Sequence, residues 1–338
     1  MKTNWLVIVF LLTGCIDEFP LDGDIPPPEP VIEGLVSDMR GVSFVRISSS
    51  LSILGIRDGT IAAFGSDALV DVVDDQGVVT SFCEKSPGLY RPDEGSFVGE
   101  VGKQYRLTVT TADGNSYHSD WELMHPGVAV DSIFTLFRQT VLPNTEQISG
   151  SHDFYATVSD QSGNEVQFRI ETLGIAQVGA FLDPPPPGCN TPCAEICFSY
   201  RNPVNRQQVI GTTGNVAEGK LTLQVATEPY DYHSYYFFRV ITHSLSPSGY
   251  QFWSSIADQQ QIEGSIFDPQ LNEIAGTNMT SVESSEPIIG YFGASATSAD
   301  SILFNRSESA NFQTPIPTAR RCVDVWKGAT LEVPIQFK

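Results

Sequence analysis

What most constrains this chain is a two-residue alternation of apolar and polar side chains, repeated in short runs and cut by turn residues. Tyr105-Arg106-Leu107-Thr108-Val109 alternates, Asp113-Gly114 follows, and the chain resumes over Asn115 to Ser119. Successive side chains of a strand point to opposite faces, so such a run buries one face and wets the other. Asp-Gly between two such runs supplies the positive φ that a tight hairpin needs. Long helical periodicities are rare, while Gly, Pro, Ser and Thr are frequent, so the chain reads as mostly β.

The same signals recur along the chain. Val42 to Ile47 alternates, and Asp74-Asp75-Gln76-Gly77 turns the run Ala68 to Val73 into Val78-Val79. The spacing of Gly88-Leu89-Tyr90, Tyr105-Arg106-Leu107 and Asp113-Gly114 resembles immunoglobulin-like or transthyretin-like sandwiches. Residues 31–125 are therefore expected to form an antiparallel β-sandwich. The remainder, 126–338, is expected to form a larger antiparallel β domain. It opens with Asp131-Ser132-Ile133-Phe134. Phe154 to Val158 and Val166 to Ile170 flank Asp160-Gln161-Ser162-Gly163-Asn164, which reads as a hairpin. Leu221 to Ala226 and Tyr235 to Ile241 read as strands, and Tyr235-Tyr236-Phe237-Phe238 is apolar on both faces, as in a central strand. One short helix is expected after Ser246, a capping residue, and Pro247, which suits a first turn. Tyr250, Trp253, Ile256 and Ala257 share one face of it, at a spacing that favours core packing, and Gly264 can end it.

The chain opens with Lys2 and a short apolar run, Trp5 to Leu12, which ends in Leu12-Thr13-Gly14-Cys15. A membrane span needs about 20 apolar residues; this run has the proportions of a secretory signal core. Leu12 to Cys15 matches the lipobox of lipoprotein signal peptidase. Residues 1–14 are thus expected to be a signal peptide, Cys15 the acylated (palmitate-bearing) residue, and residues 15–30 a lipidated tether stiffened by Pro26-Pro27-Pro28. Two or three acyl chains would hold the protein firmly, since one alone anchors only marginally. The acidic Ile16-Asp17-Glu18-Phe19 resembles the surface-export signal of Bacteroidota lipoproteins. The expected location is the outer membrane, extending to the cell surface.

Charge excludes some partners. There are 19 Lys and Arg against 40 Asp and Glu, and cleavage before Cys15 removes one of the basic residues. No basic footprint is present for nucleic acid. Cys83, Cys189, Cys193, Cys197 and Cys322 remain beside the lipidation site. In an oxidising compartment cysteines pair. Cys189, Cys193, Cys197 and Cys322 allow three connectivities, with Cys83 left over as a buried thiol. A zinc site from the same four sulfurs is the alternative, although zinc ligands usually include a tighter Cys pair.

No catalytic signature stands out. The chain lacks His-Glu-x-x-His, Gly-x-Ser-x-Gly and a phosphate-binding loop. His118, His125, His152, His233 and His243 are scattered. Gly290-Tyr291-Phe292-Gly293-Ala294-Ser295 is glycine-rich but reads as close backbone packing. Asp74-Asp75 and Asp160 to Asn164 fit turn chemistry better than calcium ligation. No cofactor and no metal are expected.

Three blocks follow one another in the C-terminal third: Gly264-Ser265-Ile266-Phe267-Asp268-Pro269, Gly276-Thr277-Asn278 and Ile289-Gly290-Tyr291-Phe292-Gly293-Ala294-Ser295. Together with Val31-Ile32-Glu33-Gly34 and Asp131-Ser132-Ile133, this order resembles the Bacteroidota lipoproteins of domain-of-unknown-function family 4249. Two departures stand out. Cys322-Val323-Asp324-Val325 keeps only the first cysteine of a paired motif, and Gly276-Thr277-Asn278 stands where Gly-Asn is common. The resemblance implies no established activity. It implies genes that neighbour TonB-dependent outer-membrane transporters. The expectation is therefore a non-catalytic surface lipoprotein, accessory to such a nutrient transporter. The alternatives are a free-standing binder of glycan or peptide, with Trp121, Trp253 or Trp326 stacking on ligand, and a hydrolase with an unfamiliar site.

Overall fold

The computed structural model describes residues 30–50, 66–93, 97–141, 148–160, 163, 165–189, 193–201, 209–214, 219–232, 234–260, 274–285, 287–306 and 316–338. The signal segment, Cys15 and most of the tether lie outside these residues, as do His233 and the block Gly264 to Pro269. The protein is mostly β, with antiparallel sheets and, among the described residues, one helix of more than a single turn.

Strands β1 (Pro30–Ser37), β2 (Phe44–Ser49), β3 (Leu69–Asp74), β4 (Val79–Ser86), β5 (Leu89–Arg91), β6 (Gln104–Thr110), β7 (Ser116–Ser119) and β8 (Glu122–Leu123) come from the N-terminal segment. The Asp113-Gly114 hairpin forms as its sequence dictates: Gly114 has φ 89° and Val109 faces Tyr117 across β6 and β7. Asp74 accepts backbone N–H groups from Gln76 and Val78 at 3.0 and 2.8 Å, so the Asp74 to Gly77 segment is a side-chain-braced turn.

The expected open sandwich is replaced by a closed ring. β3 pairs with both β4 and β6, so the ladder that runs from β3 through β4, β5, β2 and β1, two later strands, and then β7 and β6 returns to its start. Closure removes the exposed sheet edges that an open sandwich must protect. Two strands of this ring come from far along the chain: β16 (Met279–Ser281) and β17 (Pro287–Ser295). A division at 125/126 therefore does not separate the two cores, because these strands leave the C-terminal segment to complete the first sheet. β17 runs parallel to β1 and antiparallel to β16. Gly290, at φ 147°, permits the approach to β1: a Cβ there would sit 2.0 Å from the Ile32 carbonyl oxygen. Ile32, Val45, Val70, Phe82, Leu107, Val109, Met279 and Phe292 fill the ring.

The second core lies between two sheets. One has three strands in the order β14 (Lys220–Pro229), β10 (Ile148–Asp160), β9 (Val128–Val141). The other is built on β12 (Ala194–Arg201), β11 (Gln167–Leu182), β15 (Tyr235–Leu245) and β18 (Thr297–Asn305), with β13 (Val209–Thr212) and β19 (Thr318–Ala319) also on β11. The expected Asp160 to Asn164 hairpin is corrected here: β10 pairs with β9 and β14, while β11 pairs with β12, β13, β15 and β19, so this segment passes from one sheet to the other. β15 is a central strand between β11 and β18. Its Tyr236 and Phe238 point into the core, where Phe238 stacks on Phe154 at 3.9 Å between ring centroids.

The helix spans Pro247–Gln260, and Ser246 Oγ caps it by accepting the Gly249 N–H at 3.1 Å. Phe252 and Gly249 are its buried residues, so the packed face is displaced from the expected Tyr250-Trp253 stripe. Trp253 is half-buried beneath the Arg169 guanidinium, 4.1 Å from its ring centroid. Among the described residues no helix is long and apolar enough to cross a membrane.

The cysteines resolve into Cys189–Cys193 and Cys197–Cys322. The second pair sits in the sandwich core and ties β12 to the short helix Cys322–Val325. No cluster of His, Cys, Asp and Glu suited to a metal occurs among the described residues. Cys83 is exposed, against the expectation of a buried thiol. The alternation of β4 is the reason: Phe82 takes the core-facing position and Cys83 the outward one.

Candidate functional site

The ring and the sandwich meet where β17 hands over to β18 through Ala296. Ser244 Oγ accepts the Ala296 N–H at 2.8 Å and Ser295 Oγ donates to the Ser244 carbonyl at 2.7 Å. Two polar networks grow from this junction. In the first, Asn278 Nδ2 donates to buried Glu122 at 3.0 Å and to the Phe292 carbonyl at 2.8 Å, while its Oδ1 accepts the Phe292 N–H. Ser248 Oγ also donates to Glu122, and Ser246 shares a hydrogen bond with the Tyr291 hydroxyl. Burial and the nearby Glu122 carboxylate push the Tyr291 phenol well above its ordinary range. This network fixes the helix against the ring.

The second network has the order of a nucleophile, base and acid. Thr297 Oγ1 lies 3.2 Å from His243 Nδ1, and His243 Nε2 lies 3.5 Å from Glu171. Burial pushes the Glu171 carboxyl up, but the His243 contact and the Arg169 charge outweigh it and hold the group at about 2. Burial draws the His243 imidazole down. His243 is only 1 % exposed, and Ser37 donates to the Thr297 hydroxyl at 2.7 Å. A general base must reach the proton it removes in a substrate pose. Here the base is walled in and the hydroxyl is engaged by the ring, so the trio acts as a brace between the two cores.

At the far end of the sandwich lies a buried group of charges. His152 on β10 and Glu228 on β14 face each other across the strands. Arg306, 1 % exposed, reaches Asp231 at 3.3 Å and lies 5.1 Å from the Tyr236 ring centroid; Arg201 pairs with the same Asp231. Glu228 Oε1, His152 Nε2, and Nε and Nη2 of Arg306 are buried without hydrogen-bond partners among the described residues. Burial pushes Glu228 up to about 7 against the pull of Arg201, and draws His152 down to about 4 with Arg306 adding to the effect. Gly174 makes room for the Tyr236 hydroxyl, since a Cβ there would lie 2.0 Å from it. Nothing in the sequence marked these residues, because isolated charges read as solvated ones.

The third feature is the outer face of the six-stranded sheet. Inward positions of β12 and β15 carry Cys197, Tyr236 and Phe238, which leaves Ile196, Phe198, Tyr200, Tyr235 and Phe237 outward. The helix covers one end of this face through Trp253 and Arg169. The C-terminal segment covers part of the other, with reciprocal backbone hydrogen bonds between Phe198 and Thr330 and with Phe337 on Phe198 at 4.9 Å. A groove of about 630 Å³ remains, lined by Phe198, Tyr235, Leu303, Leu331, Val333 and Phe337. Tyr235, Leu303 and Val333 are 48, 49 and 46 % exposed. Of the tryptophans expected to meet ligand, Trp326 packs on Tyr232 and donates to the Gly179 carbonyl at 3.1 Å, Trp253 lies under Arg169, and Trp121 is exposed on the ring. His118 and His125 are half-buried on the ring segment, and the His125 carbonyl accepts a hydrogen bond from Ser244, the neighbour of His243, at 2.9 Å.

These features define a mostly β protein in which a closed ring and a two-sheet sandwich share one chain path. The model of the family described as a domain of unknown function (DUF4249) matches residues 16–301, and the chain belongs to that family. No curated protein matches. Among solved structures, trypsin-activated alpha-2-macroglobulin from Escherichia coli aligns at 13 % identity and a TM-score of 0.17, over 66 % of this chain and 15 % of that one. This chain thus spans about 15 % of that protein's length, and the likeness carries no argument.

Proposed function

We propose that the protein is a non-catalytic lipoprotein, anchored through Cys15 in the outer membrane and facing the cell surface, that docks on a TonB-dependent outer-membrane transporter. The observation that carries this reading is the apolar outer face of the six-stranded sheet. Ile196, Tyr200, Tyr235, Leu303, Leu331 and Val333 share it and are all substantially exposed. Large contiguous apolar patches on folded proteins mark interaction sites. A face of aromatic and aliphatic side chains, with Arg239 among them on β15, has the composition of an interface core. Packing of Trp253 and Trp326 into the fold removes two of the three stacking residues on which a glycan-binding reading relies. The anchor follows from Leu12-Thr13-Gly14-Cys15, and the surface location from the acids after it.

The test is isolation of the C-terminally tagged full chain from native outer membranes in mild detergent, beside Tyr235→Glu and Leu303→Glu. Both substitutions fall on exposed positions and leave the cores intact. A transporter barrel recovered near one-to-one with the natural chain, and lost from both variants, is the expected result. Recovery of the natural chain alone, under conditions that hold other outer-membrane complexes together, would overturn the reading.

A further inference from the structure

The ring carries a second feature with no part in that docking face. A cavity of about 750 Å³ opens on its outer wall, lined by Arg40, Ser43, Lys85, Arg91, Asp93 and Phe97. Sites for small molecules commonly enclose about 300–1,000 Å³. We propose that this cavity binds a small organic oxyanion, a ligand bearing a carboxylate or phosphate group on a compact body.

Charge is the first support. The chain has 19 basic residues against 40 acidic ones, yet three basic side chains converge on one cavity, and Arg46 stands beside them on β2. A concave wall on which basic groups outnumber acidic ones, here Arg40, Lys85 and Arg91 against Asp93, concentrates anions locally. Among the described residues two acids stand near these groups: Asp93 meets Lys85 at 3.1 Å, and Glu33 lies 3.8 Å from Arg46. Both pairs are solvent-exposed, and such pairs contribute little, so Lys85 can turn to a better acceptor.

Preorganisation is the second support. Arg91 is not a loose surface chain. One of its Nη atoms donates to the Gly41 carbonyl at 2.9 Å, and its guanidinium lies 5.9 Å from the Phe44 ring centroid, with Arg46 at 5.7 Å from the same ring. A guanidinium held in this way presents its remaining N–H groups in a fixed fork, which matches the two oxygens of a carboxylate or phosphate. Arg40 lies at the cavity next to Gly41, is exposed, and completes the donor set. Phe97 supplies an apolar wall; it packs edge-on against Phe82 and Tyr105 and so belongs to the ring core. Donors on one side and an aromatic wall on the other suit an anion with a carbon skeleton better than a bare ion.

Calorimetric titration of the detergent-solubilised full chain tests the site. The probes are D-glucuronate and inorganic phosphate at constant ionic strength, with glucose as the neutral control. Saturable binding of glucuronate is expected, with phosphate weaker and glucose inert. Arg40→Glu and Lys85→Glu each reverse an exposed charge and leave the fold unchanged, and each should weaken binding about tenfold or more. Cys83 gives an independent reading of place. It faces Arg91 across β4 and β5 and its thiol is exposed, so glucuronate should slow its reaction with a neutral disulfide reagent. Phosphate binding tighter than glucuronate would overturn the organic body of the ligand. Absence of saturable binding by both anions, or binding that both variants and Cys83 leave untouched, would overturn the site.

Discussion

Glu228→Gln should make the protein more stable at pH 8 and leave it unchanged at pH 4. The carboxyl of Glu228 is 2 % exposed and is pushed by burial from 4.5 up to about 7. Below pH 4.5 the group is protonated in both folded and unfolded chains and contributes no difference. Between pH 4.5 and 7 the unfolded chain releases the proton and the folded one keeps it, so stability falls as pH rises. Integrated over that interval, the loss is about 3 kcal/mol. His152, opposite Glu228, is drawn from 6.5 down to about 4 and acts in the other direction. Between pH 4 and 6.5 the unfolded chain binds a proton that the folded imidazole refuses, so stability is lost as pH falls, again by about 3 kcal/mol. The two slopes cancel in the natural protein. Glutamine removes one of them. Urea unfolding of the variant and the natural chain between pH 4 and 8 should therefore give curves that coincide at the acid end and separate to about 3 kcal/mol at pH 8. A glutamine variant that is equally or less stable than the natural chain at pH 8 would refute the reasoning. It would mean that Glu228 is ionised in the fold and held by Arg201 and Arg306, in which case removing its charge leaves those guanidinium groups uncompensated.

Other substitutions probe the remaining links. His152→Phe, among the rings of Phe137, Tyr230 and Phe304, should expose the opposite slope, with stability falling between pH 4.5 and 7 in the same urea titrations. Gly290→Ala drives a methyl group into the Ile32 carbonyl at a positive φ; a loss of at least about 3 kcal/mol in urea unfolding is expected, with faster hydrogen exchange along β1. Replacing Cys197 and Cys322 by Ala opens a link between residues 125 apart and should cost about 2–5 kcal/mol, read as a lower thermal midpoint. Cys15→Ser should abolish incorporation of labelled palmitate and release the chain from the membrane fraction; continued labelling would remove the lipid anchor from the proposed function.

How much the sequence revealed depends on how locally each feature is encoded. Alternation marks the strands that became β2 and β6, because a buried face requires a period of two whatever the neighbour, while the run Tyr235 to Phe238, apolar on both faces, marks β15 as a central strand. Asp113-Gly114 specified its hairpin and Ser246-Pro247 its helix start, since both rest on backbone angles and hydrogen bonds within four residues. The same logic failed at Asp160 to Asn164. Turn residues state that the chain reverses, not whether the next strand pairs with the last or crosses to another sheet. Cys83 differs from its expected burial for a related reason: its residue type favours burial, while its place after Phe82 puts it on the outer face.

The sequence by itself determined the mostly β composition, the acidic balance and the Asp113-Gly114 turn. Tertiary structure decided which edges meet. The β1–β17 contact joins Val31 to Ile289 and converts an expected sandwich into a closed ring. It also decided the fate of individual charges. Glu228 and Arg306 are unremarkable in sequence, yet one is pushed up to about 7 and the other is 1 % exposed, because the ends of β10, β14, β15 and β18 converge over them. Arg40, Lys85 and Arg91 gather at one cavity through three separate segments of the ring. Strand periodicity is a property of adjacent residues, whereas burial and convergence of charge depend on pairings between residues far apart, and no short window of sequence records them.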